Sequence, residues 1–190
     1  MTNGEREHKE LLNEIIEIEL DMFQHVKTIE PSLCQERPEA FKIMRGMTHS
    51  VLSAETLKSY LEDLRKAKAE GKNLVTGKYA RMQNLIPSLK FDPTIKNIIE
   101  NIVKTENYWM KEISAKYPCC LMGQIGNFEV YLRGELETYS DETLRLYFAD
   151  IAKAEREGRN LAKERYDKLA KNLGYDSIDS MEKTIAQQNR

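Results

Sequence analysis

The hydrophobic positions of this chain follow helical spacing over long stretches. Apolar residues recur every three or four positions near the N-terminus and again in the middle of the chain, which predicts two amphipathic helices. The two apolar stripes consist of Leu12, Ile15, Ile16, Met22, Phe23 and Val26, and of Ile99, Ile102, Val103, Trp109, Met110 and Ile113. Because no segment shows the alternating pattern of a β-strand, the sequence predicts an all-α fold.

The second half of the chain repeats the first half. Residues 53–82 match residues 140–169 without gaps, at a constant spacing of 87 positions. The identical pairs include Ser53/Ser140, Thr56/Thr143, Tyr60/Tyr147, Asp63/Asp150, Gly71/Gly158, Asn73/Asn160 and Tyr79/Tyr166. Further matches upstream extend the two copies to residues 11–82 and 98–169. We therefore expect two pseudo-symmetric four-helix repeats packed into one helical domain.

Capping residues predict where the helices begin and end. The expected N-caps are Asp92 (followed by Pro93), Ser53, Ser140, Asn73 and Asn160, and the expected C-terminal glycines are Gly71 and Gly158. The second helix of each copy is expected over residues 39–51 and 127–139. A last amphipathic helix is expected over residues 176–188.

Composition and charge narrow the class of protein. Of the 190 residues, 41% are hydrophobic and 32% are charged, which is typical of a globular helical protein. The net charge of −2 gives no electrostatic reason to expect nucleic acid. No segment approaches the ~20 apolar residues that span a bilayer, and residues 1–10 contain no apolar signal core. The sequence thus predicts a cytoplasmic protein that contacts neither nucleic acid nor membrane.

Cysteine usage predicts no disulfide framework. The three cysteines are Cys34, Cys119 and Cys120, and their spacing fits no zinc motif. The adjacent pair Cys119–Cys120 has two interpretations, a redox-active or metal-binding dithiol and two partly buried structural thiols. The second interpretation is the commoner one.

One segment resembles a known family. Residues 131–140, YLRGELETYS, and the Asn–Leu pairs in GKNL and GRNL resemble the signature motifs of a prokaryotic family, domain of unknown function 4125. The resemblance covers most of the chain. It implies a shared fold and marks two motifs, but it implies no reaction.

Four duplicated acidic residues are candidates for a site. Glu19 and Glu106 lie in the middle of the two apolar stripes, where a carboxylate needs a cationic, hydroxyl or metal partner. Asp63 and Asp150 lie on equivalent polar faces of the third helix of each copy. Four carboxylates in two sets suit a metal ion, as in helical di-metal proteins. Structural ion pairs or caps are the simpler interpretation, and a polar ligand is the third.

The second helix shows where the two copies differ. Arg45 and His49 align with leucines of the second copy, whereas Glu135 aligns with a threonine of the first. This asymmetry predicts a polar pocket suited to one asymmetric ligand, and the expected contributors on the second copy are Tyr131, Arg133, Glu135, Glu137 and Tyr139. A structural alternative is that Arg45 neutralises Glu19 or Glu135. In either case we expect Arg45 and the acids of this helix to form one polar cluster.

Trp109 lies next to Glu106 on the predicted second stripe. An aromatic ring beside a buried carboxyl group can raise its pKa and favour acid–base chemistry, although a core role for Trp109 is the simpler reading. The sequence therefore predicts binding of a small polar molecule or a metal ion between the two halves, with catalysis left open. The alternative is a helical interaction module whose duplicated polar residues are structural.

Overall fold

The computed structural model describes residues 2–26, 37–121 and 126–188, and in these ranges it is helical throughout, without strands. The all-α prediction is therefore confirmed. The helices are α1 Asn3–Gln24, α2 Pro38–His49, α3 Ala54–Ala69, α4 Leu74–Met82, α5 Pro93–Lys116, α6 Pro118–Leu121, α7 Phe128–Leu136, α8 Asp141–Arg156, α9 Leu161–Asn172 and α10 Ile178–Gln188.

The predicted caps are present at five helix starts. The Ser53 and Ser140 side chains each accept a backbone N–H at 3.2 Å, and Asn73 and Asn160 do so at 2.9 Å. The Asp92 side chain accepts the backbone N–H of the second residue after it at 2.7 Å.

The ends of several helices also follow from single residues. Gly71 and Gly158 follow α3 and α8 with φ of +68° and +66°, the left-handed region in which glycine ends a helix without strain. The last helix begins two residues later than predicted because Ser177 caps it, accepting the Ser180 N–H at 3.2 Å. Helices α2 and α7 end earlier than predicted, at His49 and Leu136.

Helix contacts within the two halves follow the same scheme. Helix α1 packs against α2, α3 and α4, and α5 packs against α7, α8 and α9. Between the halves, α3 packs against α8, α4 against α7, and α2 against α9. Side chains of one half therefore reach the site of the other half. Superposition of residues 11–82 on residues 98–169 remains a prediction.

The hydrophobic core is built from the two predicted stripes. Ile15 and Ile102, at equivalent positions of the two copies, are both fully buried. Helix α10 packs against α6 and α9 and adds Ile178 and Met181 to this core. Among the described residues, none of the helices combines the length and the apolar character that crossing a membrane requires.

Candidate ligand-binding site

Glu19 of α1 is buried and fully engaged by side chains of α2 and α3. It is 1% exposed, as the sequence predicted. Arg45 donates to its two oxygens from Nη2 at 2.6 Å and from Nε at 2.8 Å. The Tyr60 hydroxyl donates to Oε1 at 2.7 Å. Each ionised oxygen therefore has a strong donor, which offsets the cost of burying the charge.

Glu106 of α5 has a different cationic partner. It is completely buried and accepts two bonds of 2.6 Å from Arg165 of α9 and one of 2.9 Å from the Tyr147 hydroxyl. Sequence reasoning missed Arg165. The repeat held the signal, because Arg165 aligns with Lys78 and both copies thus carry a cation at this position of the fourth helix.

Glu135 of α7 completes the cluster around Arg45. Arg45 donates to its two oxygens from Nη2 at 2.8 Å and from Nη1 at 3.1 Å. Lys78 Nζ donates at 2.5 Å and the Tyr139 hydroxyl at 2.8 Å. Of the acids expected to cluster with Arg45, Glu135 does so. Both structural alternatives for Arg45 hold, since it pairs with Glu19 and Glu135 together.

The charges of this cluster balance. Burial raises the pKa of Glu19, but Arg45 and His49 together outweigh it through charge and hydrogen bonds, and the pKa lies far below its ordinary value. Burial likewise raises the pKa of Glu135, which Arg45 and Lys78 then hold well below its ordinary value. Two carboxylates therefore face two cations. Burial also keeps the pKa of the tyrosine hydroxyls of Tyr60 and Tyr139 well above 10, so both hydroxyls stay neutral donors.

His49 lies at the edge of the same cluster. Its Nε2 is 3.1 Å and 3.3 Å from the two oxygens of Glu19 and 2.8 Å from Arg45 Nη2. The side chain is fully buried, yet its Nδ1 has no hydrogen-bond partner among the described residues. Buried polar atoms in native proteins are nearly always satisfied, so this nitrogen is an exception within the described part of the cluster.

A cavity of 490 Å³ opens between α2 and α7 beside this cluster. Its lining combines charged, aromatic and apolar side chains, among them Arg45, His49, Lys78, Glu135, Tyr131, Tyr139, Tyr147, Tyr166, Met44, Met47, Met110, Phe128 and Leu132. Tyr131, an expected contributor to the polar pocket, is 46% exposed, and Met44 is 42% exposed. Both lie at the cavity edge, and Lys78 Nζ is 5.8 Å from the centre of the Tyr131 ring.

Two predicted pocket residues on or after α7 do not belong to this cavity. Arg133 pairs on the outer surface with Glu100 of α5 and, at 3.3 Å, with Glu129. Its distance of two positions from Glu135 places it on the opposite side of the helix. Glu137 accepts two bonds from Arg81, at 2.8 Å and 3.0 Å, and fixes the end of α4 instead.

Trp109 has the simpler of its two predicted roles. It is 5% exposed and packs in the hydrophobic core with its neighbour Met110. The polar partners of Glu106 are Arg165 and Tyr147.

Asp63 and Asp150 cap helices of the opposite half. Asp63 accepts the Ser140 N–H at 2.8 Å and the Thr143 hydroxyl at 2.7 Å, at the start of α8. Asp150 accepts the Ser53 N–H at 2.9 Å, at the start of α3. A carboxylate at a helix N-terminus satisfies free N–H groups and opposes the helix dipole. These aspartates connect the two halves.

The structure does not support the predicted metal site at Glu19, Asp63, Glu106 and Asp150. Glu19 and Glu106 are neutralised by arginines, and the two aspartates act as caps. The described residues contain no group of three or more histidine, cysteine and acidic side chains placed to hold a metal ion.

The adjacent cysteines belong to a separate contact between α6 and α10. Glu182 accepts the backbone N–H groups of Cys119 and Cys120 at 3.0 Å and 2.9 Å. Burial, together with the Glu182 carboxylate, raises the pKa of the Cys120 thiol to about 12. The thiol therefore stays protonated at neutral pH, which fits the structural interpretation. Cys34 lies outside the described residues.

Comparison with known proteins places the chain in a family. Neither a curated protein nor a solved structure matches it. The model of one family matches residues 9–183, a range that includes both copies of the repeat and most of α10. The chain belongs to the family described as protein of unknown function (DUF4125).

Proposed function

We propose that this chain binds a small molecule in the cavity between α2 and α7, with the Arg45–Glu135 cluster at its polar end. The volume of 490 Å³ falls within the range of roughly 300–1,000 Å³ that is usual for small-molecule sites. Such sites are mainly apolar and aromatic with a few fixed polar groups, and this lining has that composition.

The observation that carries the proposal is the position of the side chains that break the repeat. Arg45 and His49 replace leucines of the other copy, Glu135 replaces a threonine, and all three line the same cavity. Buried polar residues cost stability relative to well-packed apolar ones. Their concentration around one cavity supports selection for a single asymmetric ligand.

The donor set favours an organic ligand over a metal ion. The two carboxylates of the cluster, Glu19 and Glu135, already accept bonds from Arg45, Lys78 and tyrosine hydroxyls. A cation entering here would have to displace these partners and would meet the positive charge of Arg45. A molecule that adds hydrogen bonds without adding charge leaves the balance intact.

The second candidate function is a helical interaction module. The observation in its favour is that Glu19, Glu106, Asp63 and Asp150 all make structural contacts between helices. These contacts account for the duplicated acids but leave the cavity without a role. For that reason the small-molecule proposal is the stronger one.

The experiment is a fragment screen by ligand-observed NMR, with neutral aromatic and heteroaromatic compounds, on three proteins. Leu132→Trp fills the cavity, and Leu173→Trp places the same side chain at an exposed position, 55% exposed, as the matched control. We expect hits that bind the wild type and Leu173→Trp equally but bind Leu132→Trp at least ~10-fold more weakly, which corresponds to about 1.4 kcal/mol.

The Met44→Trp variant provides a second obstruction, from the exposed edge of the cavity, where a larger side chain does not disturb the core. Thermal unfolding and circular dichroism establish that each variant is folded. Hits that bind the wild type and the three tryptophan variants with the same affinity would contradict the proposal.

A further inference from the structure

Lys78 of α4 and Arg165 of α9 occupy equivalent positions of the two copies, but they are engaged to different extents. The Arg165 side chain is 9% exposed and donates through Nη1 and Nη2 to Glu106 and through Nε to the Thr48 carbonyl oxygen. The Lys78 side chain is 17% exposed and, among the described residues, donates a hydrogen bond to Glu135 alone. An ammonium group carries three hydrogens, so two hydrogens of Lys78 remain for another acceptor.

The ammonium group of Lys78 lies at the wall of the cavity between α2 and α7. Its Nζ is 2.5 Å from Glu135 Oε2 and 5.8 Å from the centre of the Tyr131 ring, and all three side chains line this cavity. Tyr131 stands at the open edge, where it is 46% exposed. A molecule that enters past Tyr131 therefore comes within reach of Lys78 Nζ.

The lone pairs of Glu135 are all engaged by side chains of the described residues. Its Oε1 accepts from Arg45 Nη2 and from the Tyr139 hydroxyl, both at 2.8 Å. Its Oε2 accepts from Arg45 Nη1 at 3.1 Å and from Lys78 Nζ at 2.5 Å. A carboxylate offers about four lone-pair sites, and these bonds occupy all of them. Of the ion pair at this wall, only the lysine can form a further hydrogen bond, and it can only donate one.

We infer that the ligand of this cavity is a neutral molecule with an aromatic body and a carbonyl oxygen that accepts a hydrogen bond from Lys78 Nζ. The inference rests on the proposed function and specifies its ligand class. The polar group of the ligand is an acceptor because the lysine can only donate. A carbonyl oxygen is such an acceptor and carries no net charge.

The ligand is neutral because the charges around this acceptor position are already balanced. Arg45 and Lys78 pair with Glu19 and Glu135 at distances of 2.5–2.8 Å. An anionic oxygen bonded to Lys78 would share the ammonium group with Glu135 Oε2, and the two negative charges would repel each other at this largely buried site. A carbonyl oxygen accepts the same hydrogen with only a partial charge.

The aromatic body of the ligand follows from the rest of the lining. Beyond the polar end, the cavity wall includes Met47, Met110, Phe128 and the Tyr131 ring. Aromatic rings pack favourably against one another, and methionine side chains adapt to the shape of a ligand and contact its ring. A flat body that lies against Tyr131 brings its carbonyl group toward Lys78, whose Nζ is 5.8 Å from the centre of that ring.

The test compares acetophenone with α-methylstyrene, which has the same shape but carries a CH₂ group in place of the carbonyl oxygen. Ligand-observed NMR titrations give the affinities of both probes for the wild type, Lys78→Met, Lys78→Arg and Lys168→Met. We expect Lys78→Met to weaken acetophenone binding at least ~10-fold and to leave α-methylstyrene binding unchanged, because only the ketone loses a hydrogen bond. Lys78→Arg supplies a donor again, as in the other copy, and should retain acetophenone binding. The exposed control Lys168→Met should retain it too.

Two further measurements use the wild type alone. Hydrogen bonding deshields the carbonyl carbon, so the bound resonance of ¹³C-labelled acetophenone should lie at or downfield of its position in water. A bound resonance upfield of that position would mean that the oxygen has no donor, and it would overturn the inference. Benzoate, a carboxylate of the same size, should bind at least ~10-fold more weakly than acetophenone. Equal or tighter binding of benzoate would show that the ligand class is anionic.

The outcomes separate the inference from the proposed function. If Lys78→Met leaves acetophenone binding unchanged while Leu132→Trp abolishes binding of both probes, the cavity binds small molecules but the acceptor requirement is wrong. If neither probe binds the wild type, this ligand class is wrong, and the fragment screen with Leu132→Trp judges the binding function independently. Thermal unfolding establishes whether Lys78→Met is folded, and if it is not, the ¹³C shift in the wild type decides.

Discussion

Arg45 of α2 donates two hydrogen bonds to Glu135 of α7 and thereby ties the first half of the chain to the second. The same guanidinium holds Glu19 of α1, with its Nη2 2.6 Å from Glu19 Oε1 and 2.8 Å from Glu135 Oε1. Because these groups are buried, loss of one partner leaves an uncompensated charge in the interior. The stability of the protein should therefore depend strongly on this one side chain.

Removal of Arg45 should be severely destabilising. We expect Arg45→Met to lower the free energy of unfolding by about 3–5 kcal/mol, because two carboxylates lose their shared cation. The double variant Arg45→Met/Glu135→Gln should recover part of this loss. Urea denaturation measures each value, and Arg133→Met, on the outer surface of α7, is the control, with a change within about 0.5 kcal/mol. Strict additivity of the two substitutions would show that Arg45 and Glu135 act independently.

The second half should depend on Arg165 in the same way. Arg165→Met leaves Glu106 buried with only the Tyr147 hydroxyl, so we expect a loss of about 3–5 kcal/mol in the free energy of unfolding. Lys168→Met, one turn further along α9 and exposed, should change it by less than about 0.5 kcal/mol. Equal effects of the two substitutions in urea denaturation would mean that the ion pair does not stabilise the fold.

Asp63 and Asp150, which cap helices of the opposite half, should contribute equally to the free energy of unfolding. Asp63→Ala and Asp150→Ala each remove bonds to a helix start of the opposite half, and each should cost about 1–2 kcal/mol. Because the two caps have the same partners in each copy, the losses should agree within about 0.5 kcal/mol. Thermal and urea unfolding give both numbers. A large loss at one site with none at the other would contradict the predicted symmetry of the two halves.

Stability should fall in acid because of Glu19 and Glu135. Both pKa values are lowered in the folded protein from an ordinary value of 4.5. Their pairing therefore stabilises the fold fully above about pH 4.5, and this contribution is lost as the pH falls toward the folded-state pKa. Urea midpoints should stay nearly level from about pH 7 to pH 5 and decline steeply below about pH 4.5. Glu135→Gln should flatten the decline and the surface change Glu17→Gln should not; identical slopes would refute this assignment.

Helical spacing predicted the fold and the buried acids, but not all of their partners. The central position of Glu19 and Glu106 in apolar stripes was sufficient to predict their burial. The pairing of Glu106 with Arg165 depends on how α9 crosses α5, which one-dimensional spacing does not encode. The capping roles of Asp63 and Asp150 depend on packing in the same way, because both find donors at helix starts of the opposite half.

Part of the lining of the cavity could be predicted from the sequence. The repeat identified Arg45, His49 and Glu135 as exceptions, since each interrupts a match between the two copies. Tyr131 lines the cavity from an exposed position, because the buried residues of α7 are Gly134, Glu135 and Leu136 near the end of the helix. That an open space exists between α2 and α7 depends on how these helices pack, and no local pattern predicts it.

The location of a bound molecule tests the central claim most directly. A ¹H–¹⁵N NMR titration of the uniformly labelled protein with the best fragment hit reports every backbone amide at once. If the molecule binds in the cavity, saturable chemical-shift changes should be concentrated at residues 44–52 and 126–139. The same titration of Leu132→Trp should produce no such changes. Shifts confined to the exposed surface around Leu85 and Phe91, which are 72% and 77% exposed, and persisting in Leu132→Trp, would contradict the cavity site and favour an interaction surface.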